Sequence, residues 1–165
     1  MNRFLIIIWL FSSNLWAQQK DIAQQNINNT LNQWHKAAAE ARFDDYFNVL
    51  TNDAIFIGTD ATENWNKQAF KDFSKPYFDR KKAWHFEAIQ RNIYLSDNQK
   101  MAWFDELLST QMKICRGSGV LLLENGQWKI KHYVLSMTIP NDKTNEVVAL
   151  KSALESELIH TLTKP

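Results

Sequence analysis

The sequence predicts an α+β fold: a cone-like curved antiparallel sheet packed against N-terminal helices, with an extra C-terminal helix. Three observations favour this class. Residues 101–137 read as three consecutive strands, residues 27–41 carry apolar side chains at helical spacing, and a second helical stripe follows Pro140. Helices that precede a run of strands are typical of an antiparallel sheet with helices segregated to one face.

The last two strands are predicted from their turn. Asn125-Gly126 separates two apolar runs, and this dipeptide favours a two-residue hairpin because both positions tolerate positive φ. The resulting pairing places His132 opposite Gly119 and on the same face as Trp128, since directly opposed residues share a face. We expect this face to be the concave one, covered by the helices. Gly117 and Gly119 leave space beside His132 that could hold a ligand, a packed helix or a bulge.

The other elements follow from periodicity and capping residues. The first helix is predicted from about Asp21 to Ala41, and Asp44 and Asn66 are expected to cap a second and a third helix. Pro76 is expected to end or kink the third helix. The remaining elements are strands over residues 54–58 and 84–95 and a final helix capped by Thr144 or Asn145.

Length, charge and cysteine content limit the number of domains, the classes of partner and the disulfides that we expect. A chain of 165 residues is one domain by length, and 45% hydrophobic residues are ample for a core. The formal charge of +1 gives no reason to expect nucleic acid or an acidic membrane surface as a partner. Cys115 is the only cysteine, so no internal disulfide is expected.

The first 17 residues have the order of a secretory signal peptide, with Arg3, an apolar run and then Ala17. Cleavage is predicted near Ala17, although Leu15, at the minus-three position of the cleavage site, is larger than the small residue favoured there. The alternative is an uncleaved anchor, but the apolar run is shorter than the roughly 20 residues that span a membrane. We therefore expect a secreted or periplasmic protein that is not held in a membrane after cleavage.

Several short segments resemble a SnoaL-like domain of the nuclear transport factor 2 superfamily over about residues 27–141. They are Trp34-His35, Phe56 to Asp60, Trp65, Ala102 to Glu106, Arg116 to Val120, Gly126 to Ile130 and Leu135-Ser136. The resemblance implies a pocket between the helices and the concave sheet face. It divides the chain into a signal peptide (1–17), a SnoaL-like domain (18–141) and a C-terminal helix (142–165).

Counting strand positions back from the last hairpin places three polar side chains on the concave face: Arg91, Asp105 and His132. A slip of one residue would substitute Glu106 for Asp105. The Arg91–Asp105 pair could hold an anionic or polar ligand, or it could be a buried structural ion pair. Asp105 and His132 are the candidate catalytic bases, although a hydrogen-bonded core histidine is the plainer interpretation of His132.

Three further residues are candidates for ligand binding. Asp60, with Glu63, follows the first strand and could line the pocket mouth or simply form a turn. Trp65 could stack on a flat ligand or belong to the core, and the same choice applies to Trp84 and Trp103. Tyr46 is placed on a helix near the pocket.

No pair of histidines or cysteines has the spacing of a zinc site, and no glycine-rich phosphate loop is present in the sequence, so we predict neither metal nor cofactor.

Two functions remain open from the sequence. The first is an exported, non-catalytic pocket domain that binds a small apolar or polar organic ligand or mediates assembly. The second is an isomerase, dehydratase or hydrolase that uses an inward Asp or His as general base, as the resemblance to ketosteroid isomerase, scytalone dehydratase and limonene epoxide hydrolase implies. A homodimer is predicted because the outward sheet face would be too apolar for solvent. The residues expected there are Phe104, Leu108, Val120, Leu122, Tyr133 and Leu135.

Overall fold

The structure is a computed structural model that describes the backbone of residues 4–164 and the side chains of residues 18–164. The helices are α1 (Phe4–Ala39), α2 (Phe43–Asn48), α3 (Lys67–Asp79) and α4 (Thr144–Leu162), with a short 3₁₀ helix over Asn141–Lys143. The strands are β1 (Leu50–Ile57), β2 (Asn64–Asn66), β3 (Glu87–Leu95), β4 (Met101–Thr110), β5 (Lys113–Glu124) and β6 (Gln127–Met137). The predicted leader, residues 1–17, lies outside the described side chains, so its cleavage stays a prediction.

All six strands form one sheet in the order β2-β1-β6-β5-β4-β3. Every neighbouring pair is antiparallel except β1 and β6, which run parallel. Helices α1 to α3 precede or interrupt the strands, α4 follows them, and the long β3 to β6 meander is continuous. The predicted α+β class, with N-terminal helices on a curved sheet and a C-terminal helix, is confirmed.

The hairpin between β5 and β6 begins as predicted. Asn125 and Gly126 have φ of 51° and 79°, the two positive values that a primed turn requires. Leu123 pairs with Trp128, and the next inward pair also follows the predicted register.

A β-bulge then changes the register of β6. Lys131 is the extra residue, so that His132 pairs with Val120 and Tyr133 pairs with Gly119. Because side chains alternate along a strand, one extra residue sends every later side chain of β6 to the opposite face. The predicted pairing of His132 with Gly119 is therefore wrong, and Tyr133 lies on the concave face instead.

The concave face is covered by α1, whose apolar stripe is confirmed. Ile27, Leu31 and Trp34 recur at helical spacing and are almost completely buried. The Trp34 ring stacks on Tyr46 of α2 at 5.0 Å and meets the edge of Tyr133 at 4.8 Å between ring centroids. Burial of such side chains, each worth about 1.5–3 kcal/mol, joins α1, α2 and the sheet.

Capping follows the prediction at one helix and not at another. Asn66 caps α3, accepting a 2.9 Å hydrogen bond from the backbone N of Ala69. Arg42, rather than Asp44, is the N-cap of α2 and makes no side-chain capping bond. Pro76 lies inside α3, which continues to its last residue, Asp79, so this proline does not end the helix.

The opposite, convex face of the sheet differs from the prediction. Of the six residues expected there, Phe104, Leu108, Tyr133 and Leu135 are buried on the side of α1, and only Val120 and Leu122 face outward. The convex face nevertheless carries exposed apolar side chains: Tyr94, Met101, Trp103 and Ile114.

The C-terminal helix does not cover this face. α4 packs mainly against the 3₁₀ helix before it, and none of its residues is buried. Leu150 is 82% exposed and Leu154 is 76% exposed, so its predicted apolar stripe is open to solvent. Within the described part of the chain, we find no helix with the length and hydropathy that a membrane span requires.

Candidate functional site: a buried carboxylate beside an aromatic cavity

A single carboxylate lies at the centre of the concave face. Glu106 is 1% exposed, and its Oε1 accepts hydrogen bonds from His35 Nε2 at 2.8 Å and from the Tyr133 hydroxyl at 3.2 Å. Its Oε2 accepts a 2.8 Å bond from Arg91 Nε and lies 2.7 Å from Arg91 Nη2. We call these four residues the Glu106 network.

Four elements bring the network together. Glu106 of β4 lies opposite Arg91 of β3 in the sheet register, while the β6 bulge turns Tyr133 inward. His35 comes from α1. The Arg91 guanidinium also reaches α1, where its Nη1 donates to Asn32 Oδ1 at 2.8 Å and to Asn28. The network therefore links the first helix to the middle of the sheet.

The environment fixes the charge of this carboxylate. Burial raises the pKa of Glu106 and is the largest single influence, but the hydrogen bond and charge of His35, together with Arg91, outweigh it. The net result is a pKa of the Glu106 carboxyl below its usual value. Burial, and then the negative charge of Glu106, raise the pKa of Tyr133 well above its usual value. Glu106 is thus an ionised acceptor and Tyr133 a neutral donor near neutral pH.

Two predicted site residues do not belong to this site. Asp105 points to the convex face, where it accepts a 3.1 Å hydrogen bond from Asn92 Nδ2. His132 is half-buried on the same convex side, in register with Ile55 and Val120. The predicted concave position was wrong for both residues and right for Arg91, whose partner is Glu106.

A small cavity lies beside the network, between α3 and the sheet. Its volume is about 180 Å³. Six aromatic side chains line it: Phe56, Trp65, Phe70, Phe73, Trp84 and Phe86. Gly58, Thr59, Glu63, Gln111 and Leu135 complete the wall. We call this space the aromatic cavity.

The rings are held by one another. Phe70 of α3 stacks on Phe56 of β1 at 3.9 Å and on Trp65 of β2 at 5.6 Å between centroids. Trp65 also stacks on Phe73 at 4.5 Å. Aromatic pairs in such contact add about 0.5–1.5 kcal/mol each beyond their burial, so the wall is preformed.

The other predicted ligand-binding residues have different positions. Trp65 lines the aromatic cavity, whereas Tyr46 lies in the core, 1% exposed. Burial raises the pKa of Tyr46 well above its usual value. Asp60 is exposed and accepts hydrogen bonds from the N and Oγ1 of Thr62, so it forms the turn that was the alternative prediction. Its loop partner Glu63 lines the cavity instead.

The aromatic cavity and the network are adjacent but separate. Phe86 lines the cavity and contacts His35 edge-on at 6.1 Å between centroids. None of the four network residues lines the aromatic cavity. His35 borders a different, more open groove together with Lys36 and His85.

Sequence reasoning missed several of these residues. Glu106 was predicted to face the pocket only if the register slipped by one residue, and no partner was predicted for His35. The alternation of β4 does not identify Glu106 from the sequence, because large apolar residues lie on both faces of this strand. The bulge at Lys131 that brings Tyr133 inward has one indirect signal, Gly119 on the facing strand, since a Cβ atom there would lie 2.5 Å from the backbone O of His132.

The described residues contain no group of three His, Cys, Asp or Glu side chains arranged to hold a metal ion.

The comparisons with known proteins identify the fold. A family model for the SnoaL-like domain matches residues 27–140. An NTF2-like protein of unknown function from Pseudomonas putida is similar in structure, with a TM-score of 0.63 and 14% identity over 74% of this chain and 92% of that one. No curated protein matches the sequence at a significant level.

Two further solved structures have more specific descriptions. A Novosphingobium aromaticivorans protein provisionally described as a scytalone dehydratase has a TM-score of 0.64 and 10% identity, over 74% of this chain and 89% of that one. An Exiguobacterium sibiricum protein provisionally described as a calcium/calmodulin-dependent kinase II association domain has a TM-score of 0.56 and 13% identity, over 72% and 95% of the two chains. At these identities the likeness establishes the fold and not the activity.

The family match covers most of the chain and agrees with the helices, the six-stranded sheet and the concave site described above. The chain therefore belongs to the SnoaL-like domain family, within the nuclear transport factor 2 superfamily.

Proposed function

We propose that this protein is an exported, non-catalytic binding domain that takes a small, mainly apolar organic ligand into the aromatic cavity. The cavity is of the right size for a compact ligand, since an engineered apolar cavity of about 150 Å³ is known to bind benzene. Its few polar groups, Thr59, Glu63 and Gln111, are placed to orient such a ligand.

One observation carries the non-catalytic part of the proposal. The carboxylate of Glu106, which would be the obvious general base, already accepts hydrogen bonds from His35, Arg91 and Tyr133. It is 1% exposed and does not line the aromatic cavity. A base must come within hydrogen-bond reach of the proton that it removes, and Glu106 has no such access from the cavity.

The enzymatic alternative would use the same residues. A dehydratase or isomerase would need Glu106 or His35 to reach a substrate, and for a substrate in the aromatic cavity this requires Phe86 to move from between His35 and the cavity. The neighbour described provisionally as a scytalone dehydratase gives this alternative its chemical class. The arrangement favours binding, because the Glu106 carboxylate already accepts hydrogen bonds from His35, Arg91 and Tyr133.

Nuclear magnetic resonance of the tryptophan side chains tests the proposal. Titration with phenol, a single-ring probe, should shift the indole N–H signals of Trp65 and Trp84, which line the cavity, and leave that of Trp103 on the convex face unchanged. Phe70→Trp should fill the cavity and abolish the shifts. Equal shifts at all three indoles would indicate non-specific binding and contradict the proposal.

We also propose that two copies associate through the convex face of the sheet. Tyr94 and Trp103 stack there at 5.8 Å between centroids, and each is 44% exposed. Since neither α4 nor any other described element covers these rings, a second copy is the cover that the chain itself can supply.

A further inference from the structure

We infer that the ligand of the aromatic cavity is a small organic cation, an alkylated or quaternary ammonium, and that Glu63 supplies its counter-charge. This inference rests on the proposed binding function of the same cavity and specifies the chemistry of the ligand. It rests on the kind of side chain that lines the space, on the position of one carboxylate, and on the absence of a cation beside that carboxylate among residues 18–164.

The wall of the cavity favours a cation. Aromatic faces carry negative electrostatic potential, and Trp attracts an ammonium group more strongly than Tyr or Phe does. Two of the six lining rings are Trp65 and Trp84. The only ionisable group in the lining is the carboxylate of Glu63, so an anionic ligand would be repelled.

The Glu63 carboxylate is held at the edge of the cavity by contacts within its own loop. The loop closes through a 3.0 Å bond from Gly58 N to Glu63 O, and Asp60 N donates to Glu63 Oε2 at 3.2 Å. A Cβ atom at Gly58 would lie 2.1 Å from that same oxygen. The carboxylate therefore lies over the α-carbon of Gly58, which also lines the cavity.

Among the side chains that the structure describes, the charge of Glu63 has no partner of opposite sign. Among residues 18–164, no Lys, Arg or His side chain lies within ion-pair distance of Glu63. The carboxylates of Glu106 and Asp53, by contrast, each have a basic partner. A half-buried carboxylate at the edge of an aromatic wall is thus available to a ligand cation.

The test compares choline with dimethylbutanol, the neutral isostere in which a quaternary carbon replaces the nitrogen. The readout is the indole N–H signals of Trp65 and Trp84, together with titration calorimetry. Choline should bind about tenfold more tightly than the isostere, because only the cation gains the ring and carboxylate attraction. Its affinity should fall as salt rises, and that of the isostere should not.

Two variants distinguish the effect of the Glu63 charge on binding from the effect of changing its loop. Glu63→Gln should weaken choline binding and leave that of the isostere unchanged, so that the preference for choline shrinks to what the rings alone supply. Asp60→Asn removes one negative charge from the same loop but retains the oxygen that accepts from Thr62, and it should leave the preference for choline intact.

Equal binding of choline and dimethylbutanol by the unaltered protein would overturn this inference and leave the proposed binding function standing. If phenol, choline and dimethylbutanol all leave the Trp65 and Trp84 signals unmoved, the binding function itself is refuted.

Discussion

The hydroxyl of Tyr133 occupies the space that a side chain at Gly117 would fill. A Cβ atom at Gly117 would lie 2.3 Å from the Tyr133 hydroxyl oxygen and 3.0 Å from Cγ of Glu106. Gly117 also lies directly opposite Glu106 in the sheet. The absent side chain therefore lets the hydroxyl reach the carboxylate, and the requirement for glycine here is steric.

We expect Gly117→Ala to lower the free energy of unfolding by about 1–3 kcal/mol, because the added methyl group forces the Tyr133 ring from its position. Urea denaturation measures the loss. Tyr133→Phe removes the nearest clashing atom, so Gly117→Ala should cost less in that background than alone. Purely additive losses in this double-mutant cycle would contradict the steric account.

Glu106→Gln should be strongly destabilising, by about 3–5 kcal/mol, since it leaves Arg91 buried without its ionised partner. Thermal and urea unfolding check this value. Asp105→Asn is the matched control, because it makes the same chemical change at the neighbouring residue on the convex face. Its expected loss is within about 1 kcal/mol, the value of one hydrogen bond to Asn92. Similar losses for the two variants would argue against a structural network.

Acid should remove the contribution of the Glu106 carboxylate to the free energy of unfolding. Because its pKa in the folded protein lies below that in the unfolded chain, its stabilising effect is complete above the unfolded pKa of about 4.3. The effect is lost as pH falls through the lower, folded pKa. Urea unfolding between pH 7 and pH 2 should therefore show a steeper acid loss for the unaltered protein than for Glu106→Gln. Parallel curves would contradict the direction of this shift.

The elements could be predicted from local patterns, but the faces of the strands could not. Apolar spacing in α1, the cap at Asn66 and the Asn125-Gly126 turn act within a few residues, and each is present in the structure. The bulge at Lys131 is different, because it inserts one residue into a strand with no glycine or proline to mark it. A single inserted residue inverted the predicted side for His132 and Tyr133.

Strand β4 shows why the acid was misassigned. Its two faces are similarly apolar in sequence: Ala102, Phe104 and Leu108 accompany Glu106, while Met101, Trp103 and Leu107 accompany Asp105. Composition alone does not distinguish them. Only the packing of α1, which brings His35 to Glu106, decides which acid is buried.

If the protein is exported, we expect its mature form to begin at one residue. The order of Arg3, an apolar run and Ala17 favours cleavage that leaves Gln18 first. We expect the intact mass of the protein recovered from the periplasm or medium to correspond to residues 18–165. Retention of residues 1–17 in the exported species would contradict this prediction, and Ala17→Trp should block cleavage in a matched culture.

Association through the convex face should depend on Trp103. We expect sedimentation equilibrium to show a dimer for the unaltered protein and a monomer for Trp103→Lys, because a buried unpaired ammonium is costly at an apolar interface. Gln33→Lys introduces the same group on the exposed side of α1 and should leave the dimer intact.

Removal of residues 141–165 tests the part played by α4. If the two sheets pack directly, this truncated protein should remain a dimer, since Tyr94, Trp103 and their neighbours on the convex face are all retained. The exposed Leu150 and Leu154 would then lie outside the dimer interface. A monomeric truncated protein would indicate that α4 forms the interface. A monomeric unaltered protein at about 100 μM would refute the assembly, because stable homodimers are already associated at concentrations far below this.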